Sequence, residues 1–323
     1  MACFSKIRIA AGIVLLPLLW AVFAAAPVRA ADPDFSAVRR PHSVNIIISG
    51  NIRPYMEAAE AMRAALDARF EAGIHVYKLY RYKAGARKAL AEELNNKGPQ
   101  ALFIAVGPEA ALFLWQEAAN RAGVSLYSIV LNPESLAPEL APACGLSLNI
   151  PPAVQLECIC KSFPKARRIG LFYDPQYNRE LFEKAASAAG EKGVVLVPLR
   201  VSSKKDIPGL LSAEVHKLDA VWLVPDRTVI SESIAQHIIK QSILQGVPVV
   251  GYNKFFYDSG AAAAFVFDYT RLGRQTAETA VKVMQEGGCR RQVPEFEVWI
   301  NKSVYKKLDI ALPDLNKPLV VGP

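Results

Sequence analysis

Two aspartates in the second half of the chain each follow a short apolar segment and could take part in acid–base chemistry. Asp174 comes directly after residues 169–173, and Asp226 comes shortly after residues 220–224. Paired carboxylates can hydrolyse a glycosidic bond when their separation suits the mechanism. A single carboxylate such as Asp226 can instead bind a ligand ammonium group. The choice between a hydrolase and a binding protein depends on where these residues lie in the fold.

The sequence carries none of the common catalytic or nucleotide-binding motifs. GxxxxGK[ST], GxGxxG and HExxH are absent. Ser147 is not interpreted as a nucleophile, because residues 145–149 (GLSLN) lack the last glycine of a nucleophile elbow. The histidines are scattered, and no Cys or His cluster has the spacing of metal ligands. We therefore expect no catalytic residue, no metal site and no cofactor.

Apolar, β-branched segments alternate with segments of helical periodicity along most of the chain. Such a pattern is typical of buried parallel strands and their connecting helices. The first series predicts strands at residues 44–49, 74–80, 101–106 and 127–131, and helices at 55–70, 86–97 and 109–121. The second predicts strands at 169–173, 194–201, 220–224 and 248–251, and helices at 178–192 and 229–245. A strand at 262–267, a helix at 272–285 and a strand at 295–300 follow.

Two consecutive series of similar size predict an α/β protein with two doubly wound, Rossmann-like lobes. The late elements predict that the chain returns to the first lobe and crosses again, which makes several hinge strands. We expect the first lobe to contain residues 42–148 with about 269–291, and the second lobe residues 149–268 with about 292–316.

Ligands of open parallel sheets bind beyond the carboxyl ends of the strands, where loops enter the next helices. Arg227 lies in such a loop and adds a cation. Tyr252, Asn253 and Lys254 follow the next strand and add an aromatic face, an amide and a second cation at the same edge. The candidate ligand-binding residues at strand ends are Ser49, Gly107, Pro108, Glu109, Tyr173, Asp174, Asn178, Asp226, Thr228, Tyr252 and Asn253.

Two of these loops also have a purely structural interpretation. Pro108 suits the first turn of a helix, whose free N–H groups can bind a carboxylate or phosphate. Alternatively, Glu109 neutralises the end of its own helix. Asn178 can act as the cap of the helix that follows it. The sequence leaves these alternatives open.

The first thirty residues have the pattern of a secretory signal. Lys6 and Arg8 precede an apolar run at residues 9–26, and Val28 and Ala30 form a small-x-small cleavage pattern. An uncleaved membrane anchor is the alternative, but Pro17 interrupts the run. Cys3 precedes the run and so cannot carry a lipoprotein lipid. We expect cleavage and a periplasmic mature protein.

The mature chain would keep 293 of the 323 residues, since the signal takes thirty, and this length suits two domains. The signal contains three basic and no acidic residues, so the net charge falls from +8 to +5 on cleavage. The remaining positive charge is spread along the chain, so we expect no nucleic-acid partner.

Four cysteines remain after the signal: Cys144, Cys158, Cys160 and Cys289. An oxidising compartment permits disulfides among them. Cys158 and Cys160 flank one residue of a predicted helix, so a bond between those two would be strained. One disulfide and buried thiols remain equal alternatives.

Ordered motifs in the second half resemble the ABC transporter substrate-binding protein family, in particular its tryptophan-binding, TrpX-like members. The resemblance covers roughly residues 100–313. It is carried by the motifs at residues 166–173 (ARRIGLFY), 225–229 (PDRTV), 260–261 (GA), 267–269 (FDY), 272–275 (LGRQ), 300–301 (IN) and 308–313 (LDIALP).

The resemblance implies a type I periplasmic binding fold, a monomer that encloses a small molecule between its lobes, and an inner-membrane ABC permease and ATPase as partners. The pocket positions that it implies are Gly107, Ser147, Tyr173, Asn178, Asp226 and Thr228. Asn132 begins an Asn-Pro-Glu turn where relatives carry an Asp-Pro-Val-like turn, so the contact there differs. Characterised relatives bind an aromatic amino acid, and this departure argues against transferring that ligand directly.

Three functions follow from the sequence. The first is the solute-binding component of an importer, and the second is a periplasmic sensory or accessory module without transport. The third is the hydrolase that would use Asp174 and Asp226. For either binding function, replacing Asp226 or Tyr173 by alanine is expected to weaken ligand binding with little loss of fold.

Overall fold

The computed structural model describes residues 40–138, 144–229, 231–289 and 291–313. The predicted signal at residues 1–30 lies outside them. Within the described residues, strands and helices alternate as the sequence predicts, and the strands form two separate sheets.

The first sheet contains five parallel strands in the order β2-β1-β3-β4-β5. They are β1 (Ser43–Ile48), β2 (Gly73–Lys78), β3 (Ala101–Val106), β4 (Val124–Val130) and β5 (Gly145–Ser147). The helices along this part of the chain are α1 (Arg53–Asp67), α2 (Ala84–Asn95), α3 (Pro108–Leu112) and α4 (Pro133–Leu136). Strand β1 is buried on both faces, because Ile46 and Ile48 pack into one core and Ile47 into another.

The helix predicted at residues 109–121 is shorter than expected. It begins at Pro108, and a π-helical turn over Phe113–Glu117 follows α3. The Arg121 guanidinium donates hydrogen bonds to the Leu114 and Ala118 carbonyls. A basic side chain that binds the last carbonyls stabilises the C-terminal end of a helix.

The second sheet contains six strands in the order β11-β10-β9-β8-β6-β7. They are β6 (Arg168–Tyr173), β7 (Val195–Arg200), β8 (Ala220–Leu223), β9 (Val249–Gly251), β10 (Ala263–Val266) and β11 (Glu297–Ile300). Only β11 is antiparallel to its neighbour. The helices are α5 (Pro152–Ser162), α6 (Pro175–Glu191), α7 (Asp206–Glu214), α8 (Glu232–Leu244), α9 (Lys254–Asp258), α10 (Tyr269–Glu286) and α11 (Lys302–Lys307).

Helix α10 follows a strand of the second sheet but packs against α1 of the first. The two helices approach closely at Gly273, where an added Cβ would lie 2.2 Å from the Ala58 carbonyl oxygen. Glycine is therefore required at this point of the LGRQ motif. We call the first sheet with α1–α4 and α10 the first lobe, and the second sheet with α5–α9 and α11 the second lobe.

A disulfide between Cys144 and Cys289 joins the chain before β5 to the chain after α10. Beyond it, Gln292 pairs with Leu146 in parallel, and its N–H donates to the Gly145 carbonyl over 3.1 Å. The other two cysteines of the described residues, Cys158 and Cys160, lie on α5 as thiols. The structure thus selects one disulfide from the alternatives that the sequence leaves open.

Candidate ligand-binding site

The carboxyl edges of the two sheets are connected to each other by the chain. Residues 148–151 run from the end of β5 to the start of α5, and residues 267–268 run from the end of β10 to the start of α10. The segment after Cys289 runs beside β5 and then enters β11, whose Glu297 pairs with Val266 at the end of β10. Three crossings therefore lie between the edges where ligands of parallel sheets bind.

The candidate residues of the first lobe form one tightly connected turn. Ser49 Oγ accepts a hydrogen bond from the Ala110 N–H over 2.8 Å, which fixes the first turn of α3 beside the end of β1. Gly107 has a φ of 90° and a ψ of 171°, and an added Cβ would lie 2.7 Å from Ser49 Oγ. Pro108 occupies the first turn of α3, as the sequence predicts.

Glu109 is the exposed acidic residue of this turn. Burial raises the pKa of the nearby Tyr55 phenol, and the charge of Glu109 raises it further. Tyr80 donates from its hydroxyl to Asn51 Oδ1 over 3.5 Å. The predicted candidates do not include Tyr55, Asn51 or Tyr80. Asn51 and Tyr55 nevertheless follow β1 and so lie at the expected edge of the sheet.

Asn132 and Ser147 stabilise the first crossing. Asn132 has a left-handed backbone, with a φ of 46°, and exchanges two hydrogen bonds with the Asn149 side chain. Ser147 Oγ is buried and accepts from the Asn149 N–H over 2.9 Å. Both predicted residues therefore lie at the carboxyl edge, where their side chains bind the protein's own chain.

In the second lobe, the carboxylate of Asp226 connects two loops. Its Oδ2 accepts from the Asp174 N–H over 2.8 Å and from Asn178 Nδ2 over 2.7 Å. Its Oδ1 accepts from the Thr228 N–H over 2.8 Å. Asp226 is only 2% exposed. The carboxylate is thus satisfied by internal donors, as a buried charge requires.

Asp174, rather than Asn178, caps helix α6. Asp174 Oδ1 accepts from the Gln176 N–H over 2.8 Å, and its Oδ2 accepts from the Thr228 hydroxyl over 3.4 Å. Asn178 instead has non-helical dihedrals within α6 and donates to Asp226. The capping role suggested for Asn178 is wrong, because Asp174 occupies the N-cap position and the Asn178 amide donates to Asp226 in the neighbouring loop.

Tyr173 points into the core of the second lobe. Its ring stacks on Phe182, with centroids 4.6 Å apart and planes 8° from parallel. Its hydroxyl accepts from Arg200 Nε over 3.4 Å. Because Tyr173 is buried, replacing it by alanine would also cost packing, contrary to the expectation of little loss of fold.

Tyr252 and Asn253 follow β9 beside this network. Burial, followed by the nearby charge of Asp226, raises the pKa of Tyr252 to about 12, so its phenol remains neutral at physiological pH. Its ring packs on Phe256 at 4.4 Å between centroids. Asn253 caps α9 by accepting from the Phe256 N–H over 3.4 Å.

The two aspartates are arranged to fix loops. Their carboxylate oxygens accept hydrogen bonds from the backbone and side chains of Gln176, Asn178 and Thr228. This geometry gives the hydrolase hypothesis no support. The exposed groups in the same loops include Tyr177 and Arg227, and the Arg227 guanidinium carbon lies 4.7 Å from the centroid of the Tyr177 ring.

Within the described ranges, no three His, Cys, Asp or Glu side chains form a group that could hold a metal ion. The helices of the same residues include none that is long and apolar enough to cross a membrane.

Solved structures of binding proteins share this fold. The ligand-free, open structure of a substrate-binding protein with adhesive properties from Clostridium difficile aligns with 86% of this chain and 97% of its own, at 18% identity and a TM-score of 0.70. A domain from Streptococcus pneumonia in complex with L-Trp aligns with 86% of this chain and 98% of its own, at 17% identity and a TM-score of 0.55. These likenesses confirm two lobes of the type I periplasmic binding fold.

Sequence comparison identifies the family. A tyrosine-binding protein of Clostridioides difficile (strain R20291) is 25% identical over 163 residues, which are 48% of this chain and 46% of that protein. The match thus spans less than half the length of this curated relative. The sequence model of the ABC transporter substrate binding protein family matches residues 140–317, more than half of the chain. The chain therefore belongs to the ABC transporter substrate-binding protein family, as its motifs indicate.

Proposed function

We propose that the protein is the periplasmic solute-binding component of an ABC-type importer. It encloses a small molecule, such as an amino acid, between its lobes and delivers it to an inner-membrane permease and ATPase. The observation that carries this proposal is that three crossings connect the carboxyl edges of the two sheets. Ligands of open parallel sheets bind at such edges.

The mechanism that we infer is closure of the lobes on the solute. Residues 42–148 with about 269–291 would move against residues 149–268 with about 292–316. A ligand that binds the closed state more tightly shifts the hinge equilibrium toward it. The predicted site residues then act mainly by fixing the loops of each edge, as Ser49 and Asp226 do.

The tyrosine-binding relative and the L-Trp complex support an amino acid as the first class of solute to test. In a thermal-shift screen of amino acids, short peptides, sugars and choline, we expect at least one compound to raise the melting temperature of the purified protein. Ligand at 100 times its Kd adds about 2.7 kcal/mol of stability, which corresponds to roughly 5 °C or more. A screen in which no solute raises the melting temperature would argue against solute binding.

A transport assay separates the importer from the sensory alternative. Deletion of the gene should abolish uptake of the radiolabelled solute found in the screen, and the intact gene supplied in trans should restore it. Unchanged uptake together with a lost transcriptional or chemotactic response to that solute would overturn the importer role.

A further inference from the structure

We propose that Arg227, whose guanidinium lies over the Tyr177 ring, binds a carboxylate of the solute and restricts the protein to acidic or zwitterionic ligands. This inference rests on the proposed function and adds the chemical class of the ligand. The Arg227 guanidinium carbon lies 4.7 Å from the centroid of the Tyr177 ring. Both side chains are exposed, and Tyr177 retains 50% of its surface. The pair borders the carboxyl edge of the second sheet, after β8 and β6.

Buried neighbours fix the backbone on both sides of the pair. Arg227 lies between Asp226 and Thr228, which are 2% and 7% exposed. Tyr177 precedes Asn178, whose amide donates to the Asp226 carboxylate over 2.7 Å. One buried carboxylate therefore holds together the two turns that present the cation and the ring. Such pre-organisation lowers the entropy cost of binding.

The accessible charge of this loop pair is positive. The carboxylates of Asp226 and Asp174 accept from internal donors, so they do not neutralise a ligand. Among the described residues, no carboxylate lies within ion-pair distance of the Arg227 guanidinium. Lys254, which follows the neighbouring strand, is paired with Asp258. The loop pair therefore presents a cation to the solute. A site in which Asp226 contacts the ligand would present an anion.

The Arg227 guanidinium has no ion-pair partner among the described residues, so its N–H groups remain available to a ligand. These groups form a fork that matches a carboxylate with two parallel hydrogen bonds. The attraction between the cation and the Tyr177 ring favours this position of the guanidinium. Lysine would keep the charge at this position and lose the two-pronged geometry. Arg227→Lys should therefore weaken binding of the carboxylate less than Arg227→Gln.

The test compares acids with the same molecules lacking the carboxylate. Binding of L-tyrosine, L-tryptophan and L-leucine is measured by calorimetry beside tyramine, tryptamine and isoamylamine, with ribose and choline as other classes. Each probe is applied to the wild type, to Arg227→Gln and to Arg227→Lys. Lys192→Gln is the charge-matched control, since Lys192 is exposed beyond the end of α6, at the opposite edge of the sheet. Circular dichroism verifies that all variants are folded.

We expect at least one of the amino acids to bind the wild type and Lys192→Gln with equal affinity. The matching amine, which lacks the carboxylate, should bind far more weakly. Arg227→Gln should weaken the acid roughly 10- to 100-fold, the value of a charged hydrogen-bonded pair, and Arg227→Lys should fall between. The inference is overturned if an amine binds as tightly as its acid, or if Arg227→Gln binds the acid like the wild type. Binding of ribose or choline alone would overturn it and leave the proposed function standing. Binding of no compound, either here or in the wider thermal-shift screen, would contradict both.

Discussion

Asn178 Nδ2 donates to Asp226 Oδ2 over 2.7 Å, and this contact joins the start of α6 to the loop after β8. The same carboxylate accepts from the N–H groups of Asp174 and Thr228. Because Asp226 is buried, water does not replace these partners when one of them is lost. A single side chain therefore determines the shape of two loops that border the proposed site.

Replacing Asp226 by asparagine should destabilise the protein as well as weaken ligand binding. The new amide group must point an N–H at a position where the carboxylate accepts hydrogen bonds, so at least one buried donor loses its partner. An unsatisfied buried donor costs about 1–3 kcal/mol, and we expect a loss of about 2–3 kcal/mol in the free energy of unfolding. Urea denaturation followed by circular dichroism measures it.

The control for that experiment is Asp258→Asn, which removes the same charge from an exposed ion pair with Lys254. Exposed pairs of this kind contribute below about 1 kcal/mol. Equal urea midpoints for the two variants would show that the Asp226 network does not hold the loops.

Gly107→Ala should distort the turn between β3 and α3. The backbone at Gly107, with φ 90° and ψ 171°, is a region that other residues adopt only at a cost of about 1–3 kcal/mol. The added Cβ would also lie 2.7 Å from both Ser49 Oγ and the Tyr55 ring. We expect the variant to lose about 3 kcal/mol of stability, together with ligand affinity.

Gly190→Ala is the matched substitution for Gly107. Gly190 lies in α6, and apart from its chain neighbours and the backbone of its own helix no atom lies within 4 Å of an added Cβ. Alanine there should raise the free energy of unfolding by about 0.5 kcal/mol. A Gly107→Ala protein that unfolds at the same urea concentration as Gly190→Ala would refute the steric argument.

The alternation of strands and helices could be predicted from the sequence because most strands are buried on both faces. Residues such as Ile46, Ile47 and Ile48 then form continuous apolar segments. Strand β5 has only three residues and gives no such signal. Helix α7 was missed because Pro208 and Gly209 are typical of breaks, yet Pro208 lies in the first turn, where proline is tolerated.

The sequence could also place candidate residues at strand ends, but it could not show which way their side chains point. Tyr173 is the last residue of β6, and the alternation of the strand turns its ring onto Phe182. Asp226 lies in a loop and is nevertheless buried by its donors. The pairing of Tyr177 with Arg227 depends on contacts between two loops that are far apart in the sequence, and no local pattern encodes such contacts.

Removing the disulfide should destabilise the protein strongly. Cys144 and Cys289 are separated by 145 residues, so their bond closes a long loop in the unfolded chain. The loop-entropy argument gives about 5 kcal/mol for such a bond, and measured contributions of disulfides are typically about 2–4 kcal/mol. We expect Cys144→Ser combined with Cys289→Ser to lose about 3–4 kcal/mol, measured by urea denaturation without reductant.

Dithiothreitol provides the second arm of the disulfide experiment. It should lower the stability of the wild type to that of the double variant and leave the double variant unchanged. Cys160→Ser retains the disulfide and should stay within about 1 kcal/mol of the wild type. A double variant as stable as the oxidised wild type would show that the bond does not constrain the fold.

The buried thiol of Cys158 should make the protein less stable as the pH rises above 9. Burial raises the pKa of Cys158 from its ordinary 9.0 to about 11, so between these values the folded protein holds a proton that the unfolded chain releases. Stability from this group is therefore complete below pH 9 and is lost as the pH approaches 11. From pH 8 to pH 10 we expect a loss of about 1 kcal/mol relative to Cys158→Ala. Urea denaturation of both proteins at the two pH values measures the difference.

The alanine variant has a lower stability at pH 8 because it leaves a small cavity, but its pH dependence should be flatter. Parallel pH profiles for the two proteins would show that the Cys158 thiol does not titrate with a raised pKa.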